Sequence, residues 1–267
     1  MTDLKSPVDI LKLLNKSNCR QCGEKTCMAF AAAVFAGKRR LDECPYIDPE
    51  IIARCASAEP AKPAEEDGEA VLSRLKEKVA ALDLAAAAKR IGGTFSNGRL
   101  TIKVFGKDFH VDRQGNMASD IHINPWVVMP ILNYILTCEG IPVSGNWVSF
   151  RELVGGQPRQ GLFLQRCEKP MKKIADSYTE FFEDLIHIFN GRKVEDHYES
   201  DISLVLHPLP KIPILICYWK PEEGLESDLK LFFDSTADKN MAIEHIYTLV
   251  AGLVRMFEKL ALRHATS

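Results

Sequence analysis

Four cysteines near the N-terminus carry the strongest chemical signal in the chain. Cys19, Cys22, Cys27 and Cys44 form a C-x2-C-x4-C-x16-C pattern, spanning Cys19-Arg20-Gln21-Cys22-Gly23-Glu24-Lys25-Thr26-Cys27 and Cys44-Pro45. Four thiolates converging from different directions are what one cubane [4Fe–4S] cluster needs. Two come from a tight loop, where Gly23 permits unusual backbone angles beside the sulfides. The third opens a helix whose N-terminal dipole favours an anionic cluster. The fourth returns after that helix reverses at Gly37, and Pro45 fixes the backbone behind it. Cys19, Cys22, Cys27 and Cys44 are thus the expected cofactor-binding and metal-ligating residues, and one [4Fe–4S] cluster is the expected cofactor. Structural zinc is the weaker alternative, because it takes ligands as two short-spaced pairs and the second pair is missing. Unligated thiols are a third reading.

The elements that must position these residues fall into three regions. Residues 1–57 read as short helices around the cysteines. Ser6-Pro7 offers an N-cap and a first-turn proline ahead of Val8, Ile10, Leu11 and Leu14. A second helix is predicted from about Thr26 to Ala36, lined with small alanines and followed by basic Lys38, Arg39 and Arg40. Asp48-Pro49 opens a third, carrying Ile51 and Ile52. Residues 58–68 (Ala58-Glu59-Pro60-Ala61-Lys62-Pro63-Ala64-Glu65-Glu66-Asp67-Gly68) are rich in proline and charge without a large apolar side chain, the composition of a linker.

Residues 69–267 read as an α+β domain with an antiparallel sheet. Leu72, Leu75, Val79, Leu82 and Ala86 recur at helical spacing, predicting one helix closed by Gly92-Gly93. Leu100, Ile102 and Val104 alternate with polar residues after Asn97-Gly98, a hairpin signal, and Gly106-Lys107-Asp108 suggests a further turn. A short helix is predicted over 126–136 and a longer one over 172–189, with Phe181, Phe182, Leu185, Ile186 and Phe189 inward. Strands follow at Ile202–Leu206, Ile212–Trp219 and Leu229–Phe233. Pro208, Pro210 and Pro213 should confine nearby backbone to edges or connections. A last amphipathic helix runs from about Ala242 to Leu262. Strands and helices mix without βαβ alternation, so a doubly wound sheet is not expected.

Composition narrows the function classes. A net charge of −2 over 267 residues offers no basic surface for nucleic acid. No signal peptide is legible at the N-terminus and no apolar run is long enough to span a membrane, so a cytoplasmic location is expected. A reducing cytosol argues against disulfides among the eight cysteines. Cys138, Cys167 and Cys217 have apolar neighbours and read as buried thiols, and Cys55 as a packed thiol.

The segment Asn18-Cys19-x2-Cys22-Gly23-Glu24-x2-Cys27-Met28-Ala29-Phe30-Ala31, through Gly37 to Cys44-Pro45, resembles the four-cysteine [4Fe–4S] domain of the corrinoid iron–sulfur protein large subunit. It is also similar to the cluster domain of the Rnf electron-transport complex B subunit. The resemblance covers about a fifth of the chain and implies a low-potential cluster that exchanges electrons, with Cys19, Cys22, Cys27 and Cys44 as its ligands. The remainder resembles domain of unknown function 3786, on Trp147-Val148-Ser149-Phe150-Arg151-Glu152-Leu153 with Gly155-Gly156, Leu209-Pro210-Lys211-Ile212-Pro213-Ile214-Leu215, and Leu231-Phe232-Phe233-Asp234-Ser235-Thr236-Ala237 with Glu244. That likeness implies architecture and an anaerobic habitat, and no activity.

Three other groups invite weighing. Trp147 with Phe150, Arg151 and Glu152 fits a binding surface or a packed corner equally well. Asp234-Ser235-Thr236-x-Asp238 reads better as a turn and helix cap than as a cation site. His110 and Asp112 share a strand face and read as solvated rather than as a catalytic dyad. No catalytic set is assignable. The expectation is an electron-transfer or redox-accessory protein of anaerobic metabolism, linked to corrinoid or one-carbon pathways. Its partner would be a ferredoxin-like donor or a corrinoid or one-carbon enzyme, and its C-terminal domain would dock that partner or hold a small-molecule ligand. The rivals are an enzyme with its active site in the C-terminal domain, served by the cluster, and a non-redox protein with a structural cluster.

Overall fold

The computed structural model describes residues 7–35, 39–48, 51–52, 68–120, 125–195 and 197–264. The chain divides into two compact units, Met1–Val71 and Leu72–Ser267.

In the first unit, α1 (Pro7–Leu13) starts at the proline expected at its first position, and α2 (Cys27–Phe35) starts at the third cysteine. Thr26 caps α2, its Oγ1 accepting the Ala29 N–H at 3.0 Å. A 3₁₀ turn at Leu41–Glu43 precedes Cys44, and the Ile51 and Ile52 N–H groups bond back to the Asp48 carbonyl. The two helices pack against each other. Ile10, Leu14, Phe30, Ala31, Val34 and Ile47 form the core with Cys27 and Cys44. Phe30 and Ala31 are wholly buried, and the methyl of Ala31 lets the elements approach closely. The predicted helix stop at Gly37 and the segment from 53 to 67, which holds Cys55 and most of the predicted linker, lie outside the described residues.

The division between units falls within α3 (Gly68–Ala80), which is followed by α4 (Leu84–Ile91). The single helix expected up to Gly92 is therefore two. Asp83 breaks it: its side chain accepts the Ala85 and Ala86 N–H groups at 3.0 and 3.1 Å while its own backbone is extended. A short carboxylate competes for backbone donors and makes a cap, an effect that apolar periodicity does not register. Gly92, at φ 79°, ends α4 in the left-handed conformation, as expected.

A four-stranded antiparallel meander follows: β1 (Thr94–Ser96), β2 (Arg99–Val104), β3 (Lys107–Asp112) and β4 (Met117–Ser119). Asn97 and Gly98 turn with φ of 50° and 76°, the pair of left-handed residues that suits a twisted hairpin. The next turn lies at Phe105-Gly106, one residue earlier than predicted, again with both φ positive. α5 (Pro125–Thr137) is tied to α4 by Tyr134, whose hydroxyl donates to the Ile91 carbonyl at 2.8 Å.

The second sheet has the order β5-β9-β8-β7-β6 and is antiparallel throughout. Its strands are β5 (Trp147–Ser149), β6 (Arg192–Lys193), β7 (Ile202–Leu209), β8 (Ile212–Trp219) and β9 (Asp228–Asp234). Pro208 and Pro213 lie inside β7 and β8, not at an edge. The cause is local: pairing jumps from Leu206 opposite Ile214 to Leu209 opposite Ile212, a bulge at which the ladder is already interrupted.

Between β5 and β6 come α6 (Gln160–Phe163), a π turn at Leu164–Glu168, α7 (Lys169–Ser177) and α8 (Phe181–His187). The helix predicted over 172–189 is thus also broken. Tyr178 is extended (φ −116°, ψ 101°), and the Ser177 hydroxyl turns back to the Lys173 carbonyl at 2.8 Å. Of the five side chains expected inward, Phe181, Leu185 and Phe189 are buried, and Phe182 and Ile186 are half-buried. After α9 (Ala237–Asn240), α10 (Ile243–His264) packs on α5 and α7 and buries Ile246, Leu249, Val250, Leu253, Val254 and Phe257. The domain is α+β, and among the described residues no helix is long and apolar enough to cross a membrane.

Candidate metal centre

All four N-terminal cysteines are free thiols. Cys27 and Cys44 are members of the first unit's core and Cys22 packs against it, whereas Cys19 is exposed. Three sulfurs thus share one apolar cluster and the fourth stands at the surface. The donor set suits an iron–sulfur cluster: thiolates alone, reduced, with no competing carboxylate or imidazole in the pattern. Among the described residues, no group of three or more Cys, His, Asp or Glu side chains is arranged to hold a metal ion, so the four cysteines lie in one region without being gathered as a ligand set.

The backbone leading into this region is unusual. Lys16, Asn18 and Arg20 have φ of 59°, 52° and 63°, and Gly23 has 81°. Lys16 and Arg20, which lack asparagine's tolerance for the left-handed region, each cost about 1 kcal/mol or more there. Alternating left-handed residues are how a chain turns successive N–H groups towards an anion. One such group is visible: the Asn18 N–H donates to Cys27 Sγ at 3.3 Å. The Asn18 side chain completes a bracket, its Oδ1 accepting the Cys27 N–H at 2.7 Å. With Thr26 on Ala29, two of the donors left unpaired at the start of α2 are satisfied.

Arg39 links the segments around the cysteines. Its Nη1 lies 2.8 Å from Glu43 Oε2 and its Nε 3.8 Å from Glu24 Oε1. The Arg39 N–H donates to the Ala33 carbonyl in the last turn of α2 at 3.3 Å. Arg40 pairs with Asp42 at 2.5 Å. The Arg40 N–H, then the Arg39 guanidinium, holds the Glu43 carboxyl below its usual range. The basic run after α2 is therefore neutralised by neighbouring carboxylates; Lys38 lies outside the described residues.

The other weighed groups take structural roles. Cys138, Cys167 and Cys217 are fully buried, and burial pushes the Cys167 and Cys217 thiols up, away from reactivity. His110 Nδ1 pairs with the Thr101 hydroxyl at 2.8 Å, while Asp112 accepts from the Gln114 and Asn116 backbone, so the two do not act as a dyad. Phe150 stacks on Phe163 at 4.0 Å and Glu152 caps Ser149, which makes the Trp147–Glu152 stretch a packed corner. Asp234 is wholly buried. It accepts from the Ser144, Gly145 and Thr236 N–H groups and from the Ser144 and Thr236 hydroxyls, a saturated turn. Burial opposes its charge, but these donors, the Thr236 hydroxyl foremost, leave its carboxyl below the usual range. Asp238 accepts the Val154 N–H at 2.9 Å.

Sequence reasoning missed three features. Asn18 reaches its partner nine positions later, and Arg39 joins residues separated by turns. Glu168, on the π turn, is 5% exposed. β5 pairs β9 only as far as Phe232, and Glu168 Oε1 takes up the next donor, Leu231 N–H, at 3.2 Å, while Oε2 has no partner among the described residues. Burial raises the Glu168 pKa. Only the helix-breaking tendency of Asn and the acid–base–acid spacing of Glu24, Arg39 and Glu43 could have pointed to the first two.

Residues 14–46, which include all four cysteines, match the family described as "Putative Fe-S cluster". Residues 83–256, well over half of the chain, match the family described as "Domain of unknown function (DUF3786)". The N-terminal segment is 50% identical over 40 residues to the corrinoid/iron-sulfur protein large subunit of Moorella thermoacetica, covering 15% of this chain and 9% of that one. It is 44% identical over 43 residues to the acetyl-CoA decarbonylase/synthase complex subunit gamma of Methanocaldococcus jannaschii, covering 16% and 9%. The same subunit of Methanopyrus kandleri is 40% identical over 47 residues, 18% and 10% of the two chains. The chain spans about a tenth of the length of the curated relatives it matches. No solved structure gives a significant match.

Proposed function

Since the chain belongs to the DUF3786 family and carries an iron–sulfur segment ahead of that domain, we propose that it is a redox accessory in which one [4Fe–4S] cluster, held by Cys19, Cys22, Cys27 and Cys44, exchanges single electrons with a partner protein. The bound cluster would supply one-electron chemistry at low potential. The protein's own residues hold the thiolates, exclude water on the core side and leave one edge open. The observation that carries this reading is the unequal cover of the cysteines: Cys27 and Cys44 are sealed in the core while Cys19 is exposed. An electron must reach a partner through a thinly covered edge, whereas a purely structural cluster needs none. The Asn18 N–H on Cys27 Sγ supports the reading, because donors to thiolate sulfur stabilise an anionic centre.

The relatives of the N-terminal segment are named as subunits of corrinoid/iron–sulfur and acetyl-CoA decarbonylase/synthase systems, and from that we take the partner to be a one-carbon or corrinoid enzyme, or a ferredoxin-like donor feeding it. The α+β domain would dock that partner, and the protein would work in the cytoplasm of an anaerobe. Stopped-flow reduction of the anaerobic, full-length protein by a reduced low-potential ferredoxin tests this. Rapid bleaching of the visible absorption, reversed by a higher-potential acceptor, is expected. A centre that resists both reductant and oxidant would replace electron transfer with a structural role.

A further inference from the structure

Four segments must keep a fixed relation for the cysteines to share one cluster: the loop holding Cys19 and Cys22, the start of α2 with Cys27, the end of α2, and the turn before Cys44. One residue, Arg39, touches three of them, two through its side chain and one through its backbone. The Arg39 backbone is fastened to the last turn of α2 through Ala33. Its guanidinium reaches Glu24, two residues after Cys22, and Glu43, the residue before Cys44. Glu43 is itself fixed, its Oε1 accepting the Arg40 N–H at 2.7 Å. Gly23 completes the fit: a Cβ built there would stand 3.0 Å from Arg39 Nη2, so the bare glycine lets the guanidinium lie against the loop. At φ 81° that position is also closed to most other residues.

We propose that Arg39 is a positioning residue of the iron–sulfur site, clamping the loop after Cys22 to the turn before Cys44 and so setting how firmly the cluster is retained. The inference rests on the reading of the four cysteines given above. The planar fork of arginine suits the task, since it offers donors to two carboxylates at once, which a lysine ammonium does with less geometric constraint. Arg39 also places one positive charge against the cluster loop. The neighbouring carboxylates outnumber it, so its loss would leave two uncompensated negative charges beside an anionic centre.

Full-length protein reconstituted anaerobically with iron and sulfide, as wild type, Arg39→Gln, Arg39→Lys and Glu24→Gln, provides the test. Loss of visible absorption under excess chelator gives retention, and spectroelectrochemistry gives the midpoint potential. Arg39→Gln should lose iron roughly two- to fivefold faster, the scale that two half-exposed ion pairs support. Arg39→Lys and Glu24→Gln should fall between it and the wild type. The midpoint potential of Arg39→Gln should move downward, a readout that a merely structural role would leave in place. Glu24→Gln cuts the loop tether alone and keeps Arg39 on Glu43, so it guards against a misfolded arginine variant. If wild type binds iron and sulfide but all three variants match it in retention and potential, the clamp is overturned while the cluster stands. A wild type that takes up neither overturns the underlying reading, and the clamp falls with it.

Discussion

Replacing Asn18 separates the two jobs that this residue performs in the first unit. Its side chain accepts the Cys27 N–H at 2.7 Å, an otherwise unpaired donor at the start of α2. Losing such a cap costs about 1 kcal/mol. Its backbone sits at φ 52°, where alanine is disfavoured by about 1 kcal/mol and glycine is not. Asn18→Ala should therefore destabilise α2 by about 2 kcal/mol and Asn18→Gly by about 1 kcal/mol. All three tryptophans (Trp126, Trp147 and Trp219) lie in the second unit, so their fluorescence would miss the change. Hydrogen exchange followed by mass spectrometry on peptides covering 26–35 reads it directly. Protection in the apoprotein should fall about 30-fold in the alanine variant and about fivefold in the glycine variant, because 1.4 kcal/mol is a factor of ten. Equal losses in the two variants would refute the backbone part of the argument. No loss in either would show that the Asn18 bracket does not hold the start of α2.

Further outcomes follow from the second unit and from the metal. Glu168 has a pKa raised by burial, so its folded value lies above the usual carboxylate value of about 4.3. The native state then keeps a proton that the unfolded chain has lost, and stability declines as pH rises from the ordinary value through the raised one. Chemical denaturation of Glu168→Gln across that window should show the variant gaining on the wild type as pH rises; parallel curves would contradict the assignment. Phe163→Ala removes a ring stacked 4.0 Å from Phe150 in a site with no exposure. Urea unfolding followed by tryptophan fluorescence should register a loss of about 3–5 kcal/mol. The first unit has a small core, the size range in which bound metal contributes folding energy. Removing iron by chelation should raise hydrogen exchange in 7–35 and 39–48 while leaving 202–234 unchanged.

The parts of this structure that were legible in advance are those written in local chemistry. The Asn97-Gly98 hairpin, the strands at 202, 212 and 229 and the last helix each announce themselves by turn residues or periodicity. The start of α2 at the third cysteine was legible from the apolar, alanine-rich run that follows it, within one residue of the predicted Thr26. The two broken helices were not. Apolar spacing runs unchanged through Asp83 and Tyr178, and the breaks come from side-chain hydrogen bonds that compete with the backbone. Pro208 and Pro213 misled for a related reason, since a bulge admits proline into an inner strand. At the candidate metal centre the cysteines stood out, but their supports did not. The Asn18 bracket and the Arg39 ion pairs depend on loop conformations with positive φ, which spacing alone does not specify.

On the reading proposed above, Cys19, Cys22, Cys27 and Cys44 hold one [4Fe–4S] cluster. Iron, acid-labile sulfide and zinc counted per chain in anaerobically prepared protein, wild type beside Cys44→Ser, address it most directly. About four iron and about four sulfide per chain are expected in the wild type, and a stripped or converted cluster in the variant. Stoichiometric zinc without sulfide, or an unchanged cluster in Cys44→Ser, would contradict it.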